Sequence, residues 1–569
     1  MEGTRLWALA ARMPQNIEQA LEPLSPLSSQ LMFNRGVKTQ KQAEAFLARD
    51  RSLLHDPFLL PQMLNAVVRI SGALAAEETI GIFGDFDADG VTGTALLAEG
   101  LASLGGKIIP YLPHRTQEGH GLNKNAIDKL SAAGVSLIVT VDNGTTSVEE
   151  ISWAHSLGVD TIVTDHHLPT SILPSAVAVV NPKLPGSEYP FPYLAGVGLA
   201  FKLVQALHIY LGRYWNENLL QLAAIGTVTD VVPMIGENRY IVSAGLDSIN
   251  KNPMPGIKEL LRTAGESIGY VDEESVAFTI GPRINAPGRL EHASSSYSIL
   301  RASSLEEAVP LAQKIESINR ERQSATRLAW EKLSGHLGSD VSDEPLICIW
   351  DDEFKAGISG LLASRLVEKY YRPSIVVAIE GDFARGSARS IDGFDIADAL
   401  MNCSDLLVQF GGHQKAAGFT VKKENLGLLK EKLVEIAGHW LDHFPKTSVL
   451  EIDAHVRLQS LMGVNYQFMN DLAPYGEDNR KPVFLTKDVK ILSFRKVGKQ
   501  GEHLILRLEY GGAFWEAIAF GRGADEVSQG DRIDIVYKLG VDKWKPDRPI
   551  RLMLEDFRPI DPTIIGHNN

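Results

Sequence analysis

Residues 84 to 93 read GDFDADGVTG, with Asp85, Asp87 and Asp89 at alternate positions and Gly90 closing the run. A calcium-binding EF-hand loop begins in the same way. Such a loop requires a bidentate Glu at its twelfth position and a helix on each side. Counted from Asp85, the twelfth residue is Leu96, and the preceding run TIGIF (79 to 83) is short, apolar and β-rich rather than helical. The stretch therefore reads as a carboxylate cluster at the carboxyl end of a buried strand, the edge at which open α/β sheets hold their ligands.

Working outward, the chain alternates short β-rich runs with amphipathic helical stretches. TIGIF is followed by VTGTALLAEGLASLG, KIIPYLP by NKNAIDKLSAAG, SLIVTV by SVEEISWAHSLG, and DTIVT by AVAVV. Apolar runs this short, separated by helices and Gly-rich turns, predict β-α-β units around a buried parallel sheet. Two further strands end in polar residues: SLIVTV runs into Asp142-Asn143-Gly144, and DTIVT into Asp165-His166-His167. Asp230, in GTVTDVVP after the helical run LLQLAAIG, can close the group. Any one of these Asp residues is well explained as a helix cap or turn former. Together they are not, because several carboxylates share a pocket only if cations or protons cancel their repulsion. Oxygen-rich donors with one or two imidazoles suit Mn²⁺ or Mg²⁺, and a bridging Asp can hold two ions about 4 Å apart on a phosphoryl oxygen.

The 569 residues exceed one ordinary core, and the expected organisation has five parts. Residues 1–65, helical and interrupted by prolines, form a lead-in; 66–303 form the α/β domain with a helical extension. Residues 304–337 form a connecting helix, capped by Ser304 with Glu307 three residues on and carrying Leu311, Ile315, Ile318, Ala325, Ala329 and Leu333 at helical spacing, with Pro310 shifting its start or kinking it. A second α/β domain spans 338–446. From 447 to 569 the pattern changes to alternation, with Leu504, Leu506, Leu508 and Tyr510 on one face of a strand and Ile533, Ile535, Tyr537 and Leu539 on one face of another, as in an antiparallel barrel.

The net charge of −14 argues against indiscriminate duplex binding, although Arg480 to Ile560 is mildly basic. Cys348 and Cys403 lie far apart with no zinc spacing and read as buried free thiols. The opening MEGTRLWALAARMP lacks a secretory pattern and no apolar run reaches membrane-spanning length, so a cytoplasmic protein is expected. There is no Walker-type phosphate loop; GVGLAF (196 to 201) begins like a dinucleotide fingerprint but lacks its third glycine and follows a Pro-rich loop. His208, His336 and His439 read as solvated or core histidines.

GDFDADGVTG, TVDNG and TDHH, in this order and spacing, resemble the DHH phosphoesterase superfamily. PHRTQEGHGL (113 to 122), GTVTDVVP (226 to 233) and GPRINAPGR (281 to 289) are similar to its RecJ-type single-strand-specific exonuclease branch. GSARS (386 to 390) and FGGHQKAAGFTV resemble the associated DHHA1 substrate-binding domain, and the alternating C-terminal segment resembles that branch's OB-fold. The resemblance spans nearly the whole chain. Phe86 stands where the family often has Tyr, Thr229 where Ala is common, and His120 where an aromatic Tyr is usual, a change that bears on base contacts.

The resemblance implies that Asp87, Asp89, Asp142, His166 and Asp230 ligate two divalent ions, Mn²⁺ or Mg²⁺, with Asp142 as the bridge. It implies that Asp85 supports them and that His167 stabilises charge on the scissile phosphate. Arg115, Arg289, Ser387, Arg389 and His413 would hold phosphates of the strand, including its 5′ end; without the resemblance these arginines read as surface or interdomain ion pairs. Gly411 and Gly412 suit a close backbone approach to phosphate, or a plain turn. Trp515 and Phe520 are candidate base-stacking residues, with core packing the preferred reading of each. The implied activity is 5′-to-3′ hydrolysis of single-stranded DNA in repair and recombination, within a cleft between the two α/β domains. The implied partner is single-stranded DNA, with a single-strand-binding protein and a helicase as further candidates, and the chain is expected to be monomeric. Two alternatives use the same fold: a phosphodiesterase of short oligonucleotides or cyclic dinucleotides, and a non-catalytic single-strand-binding replication scaffold.

Overall fold

The computed structural model describes residues 5–337, 341, 344–441, 447–543, 545 and 547–560, and the His336 side chain lies outside that description. The chain divides into two compact units, Arg49–Ser448 and Arg5–Ala48 with Val449–Asn569.

The first unit is built on a five-stranded parallel sheet whose spatial order is Lys107–Tyr111, Thr79–Phe83, Val135–Val141, Asp160–Thr164 and Ala178–Val180. All but the edge strand Lys107–Tyr111 are almost wholly buried, as expected of a sheet covered on both faces. The chain order reverses between Thr79–Phe83 and Val135–Val141. That switch point opens a crevice at the carboxyl ends of the strands, into which GDFDADG and the segment after Val141 both emerge. Helices Ala88–Ser103, Gly196–Tyr210 and Leu219–Thr229 pack together against the sheet; their all-round apolar character reflects burial on several sides.

Helix Leu305–His336 is continuous through Pro310, and the Ser304 side chain accepts a hydrogen bond from the Glu307 amide as the sequence pattern requires. It packs on Pro255–Ala264 and Gly281–Leu290 at one end and on Ala356–Tyr370 at the other, so it connects the two sheets of this unit. The second sheet has the order Leu407–His413, Ala416–Lys422, Phe383–Arg389, Ser374–Glu380 and Ile347–Asp351, antiparallel except for its last pair. Gly411 and Gly412 lie inside the strand Leu407–His413 rather than in a turn. Cys348 and Cys403 are buried free thiols.

The second unit is a closed barrel. Strands Val483–Val497, His503–Tyr510, Ala513–Ala519, Ile550–Pro559 and Arg532–Val541 follow one another around it, and the last pairs back onto the first. Leu504, Leu506, Leu508, Ile533, Ile535, Tyr537 and Leu539 fill its interior. Residues 5 to 48 differ from the expected lead-in to the α/β domain. Leu6–Leu9 is a strand pairing in parallel with Val449–Ile452, and Leu21, Leu31 and Met32 are buried in the core that includes the barrel interior. Trp515 packs against that core, whereas Phe520 is 56% exposed and makes a T-shaped contact with His503, at 5.1 Å between ring centroids. Core packing therefore describes Trp515 and not Phe520.

Candidate metal centre and strand cleft

Each acidic residue of GDFDADG has a distinct local task. Asp87 caps helix Ala88–Ser103, one oxygen accepting from the Gly90 amide at 3.1 Å. Gly90 lies in the first turn of that helix, where a Cβ would stand 2.5 Å from the Asp85 nitrogen, so only glycine fits. Asp85 accepts from the Phe86 amide (2.8 Å) and pairs with His120 Nδ1 (2.9 Å). Both oxygens of Asp89 accept from the first amides of helix Gly196–Tyr210, Gly196 at 2.7 Å and Val197 at 2.8 Å. GVGLAF is therefore a helix start that braces a carboxylate.

Asp142 follows the central strand with a left-handed backbone (φ 65°), its amide donating to Thr164 O. Its Oδ1 lies 3.0 Å from His166 Nε2, and Asp230 Oδ2 lies 3.7 Å from the same nitrogen. Both oxygens are buried and receive no hydrogen bond. Burial, with His167 alongside, lowers the His166 pKa to about 3, so the ring is a neutral donor atom rather than a counter-cation.

The carboxylates are correspondingly unsettled. Burial and then mutual repulsion push Asp142 and Asp230 well above the usual carboxylate range, Asp89 up to about 7, and Asp87 upward. Asp85 goes the other way, because His120, the Phe86 amide and Arg115 outweigh its burial. Three overlapping groups each bring their donor atoms within 4.8 Å of one another: Asp142, His166 and His167; Asp89, His166 and Asp230; Asp85, Asp87 and Asp142. Orphaned oxygens and a neutral imidazole around one space fit hard divalent cations, and Asp142 and His166 each belong to two groups.

Cationic residues face this cluster from both sheets. Arg115 stacks on Phe86, 3.9 Å from the ring centroid, and donates to Gly288 O. Arg289 donates to Gly357 O at the start of helix Ala356–Tyr370, and burial among Arg115, Arg322 and Arg389 lowers its pKa to about 9. Ser387 and Arg389 project from Phe383–Arg389 toward Gly360, where a Cβ would lie 3.8 Å from Ser387 Cβ and 2.9 Å from Arg389 Nη2. His413 stacks on His167 at 5.8 Å with an interplanar angle of 11°. The residues expected to hold metal and phosphate thus lie on neighbouring elements of the two sheets and the helices between them.

Three residues in the cleft had no role assigned from sequence. Asp165, almost fully buried, accepts from the Thr145 amide and from His167 Nδ1 (2.7 Å), and the His167 bond is the chief reason its pKa is low despite burial. It fixes the imidazole orientation and holds the His167 pKa above the usual value against burial. Arg322, anchored by Asn319 Oδ1, joins the arginine group from the connecting helix. In sequence it falls four residues after Ile318 and seven after Ile315, on the helix's apolar stripe, a signal that could have found it. Lys183, beyond the edge strand Ala178–Val180, is close enough to interact electrostatically with Asp230 and Asp165.

A carboxylate-histidine rim on a parallel sheet, faced across a cleft by an arginine-bearing second sheet, defines a DHH-type phosphoesterase. Residues 79–227 match the family described as DHH family, N-terminal domain; residues 343–439 match the DHHA1 domain and 452–556 the RecJ OB domain. The chain is 37% identical over 537 residues to the single-stranded-DNA-specific exonuclease RecJ of Bacillus subtilis, covering 94% of this chain and 68% of that protein. It is 33% identical to the RecJ of Dickeya dadantii, covering 96% of this chain and 99% of the relative. The crystal structure of RecJ in complex with Mn²⁺ from Thermus thermophilus superposes with a TM-score of 0.83 at 29% identity, covering 98% of this chain and 80% of the other. The chain belongs to the RecJ family.

Proposed function

We propose that this protein is a metal-dependent exonuclease that removes nucleotides from the 5′ end of single-stranded DNA. The observation that carries the reading is the pair of buried, undonated oxygens, Asp142 Oδ1 and Asp230 Oδ2, converging with His166 Nε2 at 3.0 and 3.7 Å. Asp87, Asp89, Asp142, His166 and Asp230 would hold two cations, Mn²⁺ or Mg²⁺, with Asp142 shared between them. The cations supply charge neutralisation and activation of the attacking water.

Around them, the chain's own residues bind and orient. Asp85, tied to Phe86 and His120, supports the Asp87 side of the cluster. His167, held by Asp165, carries a positive edge toward charge developing on the scissile phosphate. Arg115, Arg289, Ser387, Arg389 and His413 bind strand phosphates and the 5′ end, the planar arginine forks engaging oxygens in pairs. Burial and mutual repulsion lower the pKa of Arg289, and an incoming phosphate relieves that repulsion. The barrel adds a groove for a longer strand, where each stacked base contributes about 1 to 3 kcal/mol; Phe520 is the exposed candidate for such stacking. The proposed setting is DNA repair and recombination in the cytoplasm, by a monomer working with a single-strand-binding protein and a helicase.

Asp142→Ala tests the reading. With Mn²⁺ or Mg²⁺ present, release of mononucleotides from a long single strand should disappear while strand binding stays measurable. A variant that remains active and metal-dependent would overturn the shared-ligand assignment.

A further inference from the structure

Lys183 is a cation in the cleft that the proposed mechanism has not used. It stands three residues beyond the edge strand, whose neighbour Asp160–Thr164 delivers Asp165, His166 and His167, and the Asp165 amide is bonded to Val180 O. Asn181, fully buried, fixes the local geometry. Its Nδ2 donates to His167 O (2.9 Å) and Thr145 Oγ1 (3.0 Å), and its Oδ1 accepts from the Lys183 amide (2.9 Å). One side chain therefore ties Lys183 to the backbone of His167.

The Lys183 ammonium is half-buried, and among the described residues it makes no ion pair or hydrogen bond. It lies within electrostatic reach of Asp230, Asp165, His166 and His413. Arg115 follows the opposite edge strand, Lys107–Tyr111, and lies beside Phe86 and Gly288. Asp142 and His166 follow Val135–Val141 and Asp160–Thr164, two strands that stand between those edges. Asp230 and Asp165 favour the charged ammonium, and once Asp230 is committed to a metal ion the ammonium is left needing another anion.

We propose that Lys183 binds the phosphate immediately 3′ of the scissile one, and so holds the strand on the side opposite the 5′-end arginines. This rests on the exonuclease reading for its direction along the strand, but the contact itself is a binding event that can be measured without cleavage. Lys suits the task because a flexible ammonium on a long stem can follow the strand as it advances by one nucleotide, where a fixed fork would not.

The test compares wild type, Lys183→Gln and Lys183→Arg on a short 5′-phosphorylated strand with Mn²⁺, and on the same strand with a neutral methylphosphonate at its second linkage. Lys183→Gln should raise the half-saturating strand concentration about 10-fold, with kcat little changed, since one charge-assisted bond is lost. The slope of log affinity against log salt should fall by about 0.7, the value for one single-strand phosphate contact. Lys183→Arg should restore most of the affinity. The methylphosphonate should cost wild type a similar factor and the Gln variant almost nothing more. Fully additive penalties, or an unchanged half-saturation and salt slope in Lys183→Gln, would overturn the contact. Fluorescence anisotropy in Ca²⁺ gives the same comparison without turnover, so a wild type that releases no nucleotides would sink the exonuclease reading while the salt slopes still decide the contact. If Lys183→Gln does not fold, Lys183→Arg and the methylphosphonate penalty on wild type decide it.

Discussion

Adding one methyl group at Gly196 should disable the metal centre without replacing a proposed ligand. A Cβ there would lie 2.4 Å from Asp142 Cβ and 2.8 Å from both its Cγ and Oδ1. Ordinary contact begins at 3.4 Å, so about 1 Å of movement is needed, 3.4 minus 2.4. Neither neighbour can yield freely. Asp142 holds a left-handed backbone with its amide bonded to Thr164 O, and retreat of the helix would stretch the 2.7 Å bond from the Gly196 amide to Asp89. Either route displaces a carboxylate by about 1 Å, a misplacement that costs about 10²-fold in rate. Gly196→Ala should therefore lower single-turnover hydrolysis about 100-fold and raise the half-activating Mn²⁺ concentration, with overpacking costing about 1 to 3 kcal/mol of stability. Gly198→Ala is the control: its Cβ meets only the flexible Leu194 side chain, at 3.3 Å. It should keep near-normal rate and metal response. A folded Gly196→Ala with wild-type rate and Mn²⁺ dependence would refute the placement of Asp142 at the reaction centre.

Two further outcomes are expected. Removing residues 449–569 alone strips the partner from Leu21, Leu31 and Met32 and should give an aggregating protein, whereas removing 5–48 as well should leave a soluble unit that cuts short strands and binds long ones weakly. Equal solubility of the two truncations by size-exclusion chromatography would count against that shared core. Arg389→Ala should reduce the preference for 5′-phosphorylated over 5′-hydroxyl strands by about 10-fold or more, through loss of charge-assisted bonds. Unchanged preference in competition assays would move the end pocket elsewhere.

What was legible in the sequence was whatever local periodicity or strand-end chemistry controls. The run before Gly84 is the strand Thr79–Phe83, the capped connecting helix spans Leu305–His336, and the alternating Leu504, Leu506 and Leu508 point into the barrel. The N-terminal segment was not legible, because its short helices find their partner more than 400 residues away and a four-residue parallel strand pair leaves no local sign. Arg322 was hidden for a different reason. Its spacing from Ile315 and Ile318 puts it on the helix's apolar stripe, but only tertiary placement shows that what it meets there is Arg289. Phe520 shows the converse error, since an aromatic at the end of an apolar strand reads as core until the strand Ala513–Ala519 is seen to stop before it.

On the proposed reading, the electrostatics also account for a polyanion binding to a chain of net charge −14. Asp89 and Asp142 are buried, Asp87 and Asp230 half-buried, and all four are raised, as carboxylates are when their neutralising charge comes from elsewhere. Arg115, Arg289, Arg322 and Arg389 are all lowered, with burial the largest cause in each. Four carboxylates beside four guanidiniums could have paired with one another, which would have settled both sets and left nothing for a ligand. They do not: Arg115 and Arg289 spend donors on the carbonyls of Gly288 and Gly357, and Asp89 spends its oxygens on the amides of Gly196 and Val197. The backbone thus holds the two sets apart, and on the proposed reading cations would satisfy one and phosphates the other. A duplex would bring twice the phosphate charge along its axis to the same arginines. On the proposed reading, a single strand places the lesser demand on these four guanidiniums.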